Sequence, residues 1–172
     1  DVSGSMSGAP LAMCRRAMRD ALSRLRPVDT FDIVTFAGRS ERAFEAPRAA
    51  NAANVRQALA IMDELQAGGG TEMLDAVETA LSSEVPSGRH RYVFFMTDGY
   101  VGNEDQIISA SDRFVKALEK KGQRARVFGF GVGSSVNRWL IEGLSRAAKG
   151  LGMYATTREF LDYFALKSLD QL

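Results

Sequence analysis

Five residues carry oxygen atoms in a pattern that suits a metal ion. Asp1, Ser3 and Ser5 alternate in "DVSGSM", Thr71 follows the glycine run "GGGT", and Asp98 lies in "TDG". Two carboxylates and three hydroxyls, with no His or Cys among them, are hard ligands that favour Mg²⁺, Mn²⁺ or Ca²⁺ over zinc. With only two negative charges in the set, a bound dication keeps affinity for another anion, and a carboxylate from a partner protein fits that need.

Each of these residues taken alone also has a purely structural explanation. Ser and Asp before a helix commonly cap it, and Thr71 is well placed to cap the helix that follows. The pair Asp98-Gly99 is a common turn signal. The metal hypothesis therefore depends on whether all three segments lie at one edge of one sheet.

The rest of the chain predicts the elements that would bring these segments together. Apolar residues at helical spacing predict helices over 10–25, 55–65, 74–81, 107–118, 139–144 and 160–169. Aromatic and β-branched runs predict strands over 30–37, 91–97, 125–133 and 150–156, with a short edge strand over 41–47.

This alternation predicts an α/β fold with a doubly wound, mostly parallel sheet and helices on both faces. In such sheets ligands bind at the carboxyl ends of the strands. The segments of Asp1 and Asp98 are loops after strands, or after the place where a strand belongs, and the Thr71 segment lies between two helices. We expect all three at that edge.

Composition limits the classes of function that remain. The chain has 172 residues, a net charge of +1 and a single cysteine, Cys14. We expect one domain over 1–172, no internal disulfide, no membrane span within the chain and no electrostatic case for nucleic acid. A chain that starts at Asp1 without Met or a signal peptide is expected to be a piece of a longer protein.

The three motifs, in this order and at these separations, resemble those of the von Willebrand factor A domain family. The resemblance covers essentially the whole chain. It implies the Rossmann-like fold of the family and its metal-ion-dependent adhesion site, with Asp1, Ser3, Ser5, Thr71 and Asp98 as the ligands. "TDGYVGNE" is most similar to the A domains of inter-alpha-trypsin inhibitor heavy chains and their bacterial relatives, most of which are extracytoplasmic, although other A domains work inside cells.

One departure from the family pattern concerns the first strand. In the family a hydrophobic strand leads into the first Asp and lies in the middle of the sheet, whereas this chain begins at Asp1. We expect a gap flanked by the strands at 31–36 and 92–96, and we expect a version of the chain extended upstream to melt at a higher temperature.

Three other functions deserve comparison. A serine triad needs a histidine, and the one present, His90, is expected at the opposite side of the sheet. Magnesium-dependent phosphoryl transfer through Asp1 is the main alternative, although Ser3 stands where such enzymes usually carry a second Asp. A dinucleotide site in "GFGVGSS" lacks the last glycine of the motif, so close packing at Gly129, Gly131 and Gly133 explains it better. A purely structural domain with a vestigial site is the remaining possibility.

The sequence thus predicts a metal-dependent protein-binding module and not an enzyme. Mg²⁺ is the preferred ion, with Mn²⁺ or Ca²⁺ as alternatives, and the ligand is an Asp or Glu of a partner protein. Four residues beside the proposed metal are candidates for contact with that partner: Met6, Glu72, Tyr100 and Val101.

Overall fold

The computed structural model describes residues 1–83, 85–99, 101–133 and 136–149 and the backbone of 152–155. A 3₁₀ turn over Gly4–Met6 precedes the helices α1 (Ala9–Ser23), α2 (Ala52–Glu64), α3 (Met73–Ser82), α4 (Glu104–Lys120) and α5 (Arg138–Ala147). The strands are β1 (Thr30–Phe31), β2 (Val34–Phe36), β3 (Ser40–Arg42), β4 (Arg48–Ala49), β5 (His90–Thr97), β6 (Arg124–Val132) and β7 (Gly152–Ala155). The helix predicted over 160–169 lies outside the described residues.

A parallel sheet in the order β5-β6-β7 forms the centre of the described structure. β5 and β6 are nearly continuous apolar runs, as is typical of strands that are covered on both faces. On one face a core cluster includes residues of α3, α4 and α5. On the other face α1 contributes Cys14 and Ala17 to a second cluster. This arrangement confirms the predicted doubly wound α/β fold with helices on both faces.

The strand predicted over 30–37 is two short strands, so that prediction is wrong in detail. β1 pairs antiparallel with β4, and β2 pairs antiparallel with β3. Asp32 lies between β1 and β2, where its carboxylate accepts a hydrogen bond from the backbone N–H of Ile33 at 2.8 Å and pairs with Arg42 at 2.7 Å. These side-chain bonds accompany the change of partner strand.

The edge strand predicted over 41–47 is also corrected by the structure. It ends at Arg42, and the separate strand β4 follows Pro47. Pro47 has no N–H to donate, so it suits the point where one short strand has ended and the next begins.

The first two residues of the chain lie between the carboxyl ends of β2 and β5. The amino group of Asp1 donates to the carbonyl of Met96 at 3.1 Å, and Val2 N donates to the carbonyl of Phe36 at 2.9 Å. Among the described strands no ladder joins β2 to β5. A cavity of about 40 Å³ there is lined by residues of β2 and α1, and by Asp1 and Met96. An upstream strand in this position stays a prediction.

In the described part of the chain, no helix is both long enough and apolar enough to cross a membrane.

Candidate metal centre

The first loop holds Asp1, Ser3 and Ser5 close together at the carboxyl edge of the sheet. Ser3 N donates to Asp1 Oδ1 at 2.8 Å, and the hydroxyls of Ser3 and Ser5 lie 3.2 Å apart. Ser3 is only 1% exposed, whereas Ser5 is exposed. The alternating pattern thus produces a turn in which a carboxylate and two hydroxyls are neighbours.

Backbone hydrogen bonds tie the glycine-rich loop before Thr71 to this first loop. Gly68 N donates to the carbonyl of Val2 at 2.8 Å, and Gly4 N donates to the carbonyl of Gly69 at 3.2 Å. Thr71, two residues farther on, is partly exposed. The structure therefore joins the loop of Thr71 to that of Ser3 and Ser5.

Thr71 does not cap the following helix, so that prediction is wrong. The N-cap of α3 is Glu72, and it makes no side-chain capping bond. Glu72 N donates instead to the carbonyl of Ala37 at 2.6 Å, which holds this residue against the end of β2 and delays the start of the helix. The hydroxyl of Thr71 consequently has no capping role.

The third loop follows β5 and begins with Thr97 and Asp98. The hydroxyl of Thr97 donates to Asp1 Oδ2 and accepts from Gly99 N at 2.9 Å, so it joins the first and third loops. Asp98 is 8% exposed. Gly99 has a φ of +76°, and a Cβ there would lie 3.1 Å from the Cβ of Asn137, so only glycine fits without strain.

Asn137 fixes the loop of Asp98 from the side of α5. Its backbone N–H donates to the carbonyl of Asp98 at 2.9 Å. Its side chain accepts from Leu140 N at 3.2 Å and donates to Glu104 Oε1 at 2.9 Å, joining α5 to the first residue of α4. The starts of α4 and α5 therefore hold the Asp98 loop in place.

Burial lowers the pKa of the Asp1 α-amino group to about 6, and the nearby Cys14 thiol and Asp98 carboxyl act in the opposite direction.

The donor set fits a small divalent cation. Adjacent ligands of an octahedral ion with bonds of about 2.0–2.1 Å lie about 2.9 Å apart, and bonds of about 2.4 Å give about 3.4 Å. The hydroxyls of Ser3 and Ser5 lie 3.2 Å apart, between these two values. The described residues contain no group of three or more His, Cys, Asp or Glu that could hold a metal. Hydroxyls would therefore have to supply most of the protein ligands.

The candidates for partner contact have different surroundings. Met6 is fully buried in the cluster beneath α1, so the prediction that it meets a partner is wrong. Val101 packs partly against the opposite cluster, Glu72 is exposed, and Tyr100 lies outside the described residues. Trp139 is 67% exposed in the first turn of α5.

The residues of the rival predictions lie away from this edge or serve packing. His90 begins β5 and Thr97 ends it, so the imidazole is at the far end of an 8-residue strand, roughly 23 Å from the serines' edge. A Cβ on Gly129 would lie 2.9 Å from Ile141 Cγ2, which confirms close packing there. Gly133 has a φ of +100°. Cys14 is buried.

Sequence reasoning missed two residues that organise the site, Thr97 and Asn137. Thr97 immediately precedes the predicted ligand Asp98 at the end of a strand, and that adjacency was a usable signal. Asn137 is 39 positions from Asp98 in the chain and carries only the signature of an N-cap before an apolar helix. Its contact with Asp98 depends on how α5 packs.

The fold is similar to those of several solved structures. A structure of an aerotolerance-related membrane protein from Bacteroides fragilis matches with a TM-score of 0.77 at 15% identity, covering 100% of this chain and 96% of that one. The manganese-loaded TRAP protein of Plasmodium vivax matches at 0.66 and 21% identity, covering 94% and 68%. A mussel byssus matrix protein with a zinc-occupied MIDAS motif matches at 0.63 and 16% identity, covering 96% and 43%.

Sequence comparison adds the family relationship. A von Willebrand factor A domain-containing protein of Dictyostelium discoideum is 33% identical over 151 residues, which are 87% of this chain and 16% of that protein. The mouse von Willebrand factor A domain-containing protein 5B1 is 29% identical over 170 residues, 98% of this chain and 13% of that protein. The chain thus spans about a sixth of the length of the first relative and about an eighth of the second. The family described as von Willebrand factor type A domain matches residues 1–154, and the chain belongs to that family.

Proposed function

We propose that the chain is a metal-ion-dependent protein-binding module that captures a partner's Asp or Glu carboxylate on a divalent cation. The proposed ligands are Asp1, Ser3, Ser5, Thr71 and Asp98, with Mg²⁺ preferred and Mn²⁺ or Ca²⁺ as alternatives. The observation that carries the proposal is the 3.2 Å separation of the Ser3 and Ser5 hydroxyls, in a loop bonded to both other oxygen-bearing loops.

The chain's own residues perform two tasks in this proposal. Thr97 and Asn137 hold the loops of Asp1 and Asp98 in register, so a cation would meet ligands that are already oriented. The three hydroxyls are neutral and the two carboxylates only balance the two charges of a dication, so the site would carry no excess negative charge that repels a partner's carboxylate. Five protein ligands would also leave a six-coordinate ion with a position at which that carboxylate could bind, and such binding needs no bond to be broken.

Similarity to metal-bearing structures supports the general part of the proposal. The structures that resemble this chain include one described as manganese-loaded and one described as having a zinc-occupied MIDAS motif. The preference for Mg²⁺ follows from the hard oxygen donors and from the absence of His and Cys among the proposed ligands.

Phosphoryl transfer through Asp1 is the alternative function, and the hydrogen bonds of Asp1 weigh against it. Both carboxylate oxygens accept hydrogen bonds, Oδ1 from Ser3 N and Oδ2 from the Thr97 hydroxyl. Each oxygen keeps a second lone pair, but the hydrogen bonds draw electron density from both oxygens and make them less nucleophilic. These hydrogen bonds suit a group that orients a loop.

Binding of Mn²⁺, followed by water-proton relaxation, tests the metal ligands. We expect the chain to bind Mn²⁺ and Asp98→Asn to bind it at least tenfold more weakly, a loss of about 1.4 kcal/mol. The matched control is Asp112→Asn, which removes a carboxylate that pairs with Lys116 on α4. Equal affinity in Asp98→Asn and the control would show that Asp98 is not a ligand.

Water-proton relaxation by bound Mn²⁺ also tests whether the metal binds a partner's carboxylate. A short peptide containing Glu should displace water from bound Mn²⁺ and lower the relaxation enhancement, while the same peptide with Gln should not. If the two peptides act alike, or if neither acts at saturating concentration, the metal does not select a carboxylate and this part of the proposal is wrong.

A further inference from the structure

Basic residues are concentrated at the amino edge of the parallel sheet, opposite the candidate metal centre. The segments 85–91 and 120–126 contain six Lys or Arg residues and His90, and no Asp or Glu, in a chain whose net charge is only +1. Glu119, just before the second segment, pairs with Lys149 at 2.5 Å. The positive charge at this edge is therefore not neutralised within the two segments.

The register of β5 and β6 brings four side chains from these segments onto one face. His90 is aligned with Arg124, and Tyr92 is aligned with Arg126. Partners in a parallel ladder point to the same side, as do alternate residues along one strand. The ring of Tyr92 lies 6.4 Å from that of Phe128, which places this group beside the aromatic cluster of the same face.

Arg91 points to the opposite face and has a structural role there. Its Nη1 donates to the carbonyls of Ala80 and Leu81 at 3.3 and 3.0 Å, in the last turn of α3. Burial lowers the pKa of this guanidinium, and the positive charge of Arg42 acts in the same direction. The polar groups on the other face of the sheet are therefore those of two aligned pairs, His90 with Arg124 and Tyr92 with Arg126.

A hollow of about 40 Å³ lies at this edge and is lined by His90, Tyr92, Arg124 and Arg126. Arg91 also borders it, although its guanidinium bonds the end of α3. One water needs a volume of roughly 10–15 Å³, so the hollow has room for about three waters. That size suits a compact oxyanion better than an organic molecule. His90 and Arg124 are both exposed, so the hollow is open to solvent.

We propose that this hollow is a binding site for a compact tetrahedral oxyanion of the phosphate class. Arg124 supplies a planar fork of N–H donors that matches two oxygens of such an anion, His90 supplies a ring N–H, and Tyr92 supplies a hydroxyl. The lining has no carboxylate that would repel the anion. β5 has 8 residues, so the site lies roughly 23 Å from the carboxyl edge and is independent of the metal proposal.

A single compact site distinguishes this proposal from binding of a nucleic acid or another polyanion. A protein that binds single strands presents a long positive groove with aromatic side chains for stacking. Here the two aligned pairs surround one small hollow, and the ring of Tyr92 packs toward Phe128. A phosphate group fits this arrangement, whether it is free or part of a larger molecule.

The single histidine of the chain gives a direct test. The ring-proton NMR signals of His90 are followed at pH 7 while inorganic phosphate replaces chloride at constant ionic strength. We expect a saturable shift, and we expect Arg124→Gln to weaken the apparent affinity at least tenfold. Arg113→Gln, which removes an exposed arginine from α4, is the matched control and should bind like the parent chain.

Each other outcome would overturn the proposal. A shift that grows linearly without saturating, or that is unchanged in Arg124→Gln, means unspecific screening by ions. If a short oligonucleotide saturates the His90 signal at far lower charge concentration than phosphate, the edge binds polyanions and not a compact anion. Repeating a successful titration with O-phosphoserine distinguishes a site for phosphate esters, which that compound would also occupy, from one for free phosphate.

Discussion

The carboxylate of Asp1 is oriented from two sides, and this is the most informative detail at the scale of single residues. Ser3 N and the Thr97 hydroxyl each bond one of its oxygens, and Thr97 also accepts from Gly99 N. Thr97 is fully buried. The Thr97 hydroxyl bonds one predicted ligand, Asp1, and the turn after a second predicted ligand, Asp98, so it positions both residues.

Removing that hydroxyl should weaken the metal site without removing a ligand. In Thr97→Val the shape is kept, but Gly99 N and Asp1 Oδ2 lose their partner, so we expect a stability loss of about 1–3 kcal/mol. Metal affinity should fall by about 10- to 100-fold, as is typical when a group that orients a ligand is lost. Chemical denaturation and Mn²⁺ titration measure the two effects. Thr30→Val, an exposed threonine on β1, is the control, and equal behaviour of the two variants would contradict the role of Thr97.

The buried thiol of Cys14 makes the free energy of unfolding depend on pH in the alkaline range. Burial raises the pKa of its thiol from the ordinary 9.0 to about 11, while the nearby α-amino group acts in the opposite direction. The unfolded chain therefore releases this proton first, so the thiol's contribution to stability is complete below pH 9 and is lost as pH rises from 9 to 11. Urea titrations at pH 8 and 10.5 should show a larger fall in the parent chain than in Cys14→Ala. An equal fall in both would contradict the raised pKa.

At the scale of elements, β6 packs closely against α5 at Gly129, and this contact predicts the effect of enlarging that residue. A Cβ on Gly129 would lie 3.1 Å from the carbonyl oxygen of Ile141 and 3.0 Å from Ser145 Oγ, which also accepts from Gly129 N. The helix would have to move away, so Gly129→Ala should lower the free energy of unfolding by about 1–3 kcal/mol. Gly102→Ala has open space around the new methyl group and should change it little. Thermal or urea unfolding of both variants checks this, and equal stability would contradict the close packing.

The elements differ in how far the sequence determines them. β5 and β6 follow from long apolar runs because burial on both faces leaves a strong pattern. The single strand predicted over 30–37 fails because Asp32 bonds Ile33 N and Arg42, and these contacts are not visible as hydrophobic periodicity. β4 has only two residues, too few for any pattern to predict it.

The candidate site was predictable as a set of motifs but not in its supporting contacts. Asp1, Ser3, Ser5, Thr71 and Asp98 stand in recognisable patterns, and their role as ligands stays a prediction. Met6 is apolar and follows Ser5 directly, yet it is buried because the 3₁₀ turn directs it under α1. The sequence did not predict the basic group at the amino edge because its two segments, 85–91 and 120–126, meet only through the register of β5 and β6.

For the whole molecule, the parallel sheet separates two chemically different edges. The carboxyl edge holds the hydroxyls and carboxylates of the candidate metal centre, and the amino edge holds the basic segments around His90 and Arg124. The net charge of +1 conceals this separation because it averages over the chain. A cation site and an anion site could therefore be present in one domain without competing for the same surface.

Thermal unfolding with and without divalent metal tests the central claim most directly. After treatment with EDTA, the parent chain, Thr71→Ala and Ser7→Ala are unfolded with Mg²⁺, Mn²⁺ or Ca²⁺ added. A metal at 100 times its Kd stabilises the folded state by about 2.7 kcal/mol, which for a chain of this size raises Tm by roughly 5–10 °C. We predict this gain in the parent chain and in Ser7→Ala, which removes an exposed hydroxyl beyond the ligand set, and a much smaller gain in Thr71→Ala. No gain with any of the three metals, or an equal gain in Thr71→Ala, would contradict the metal centre.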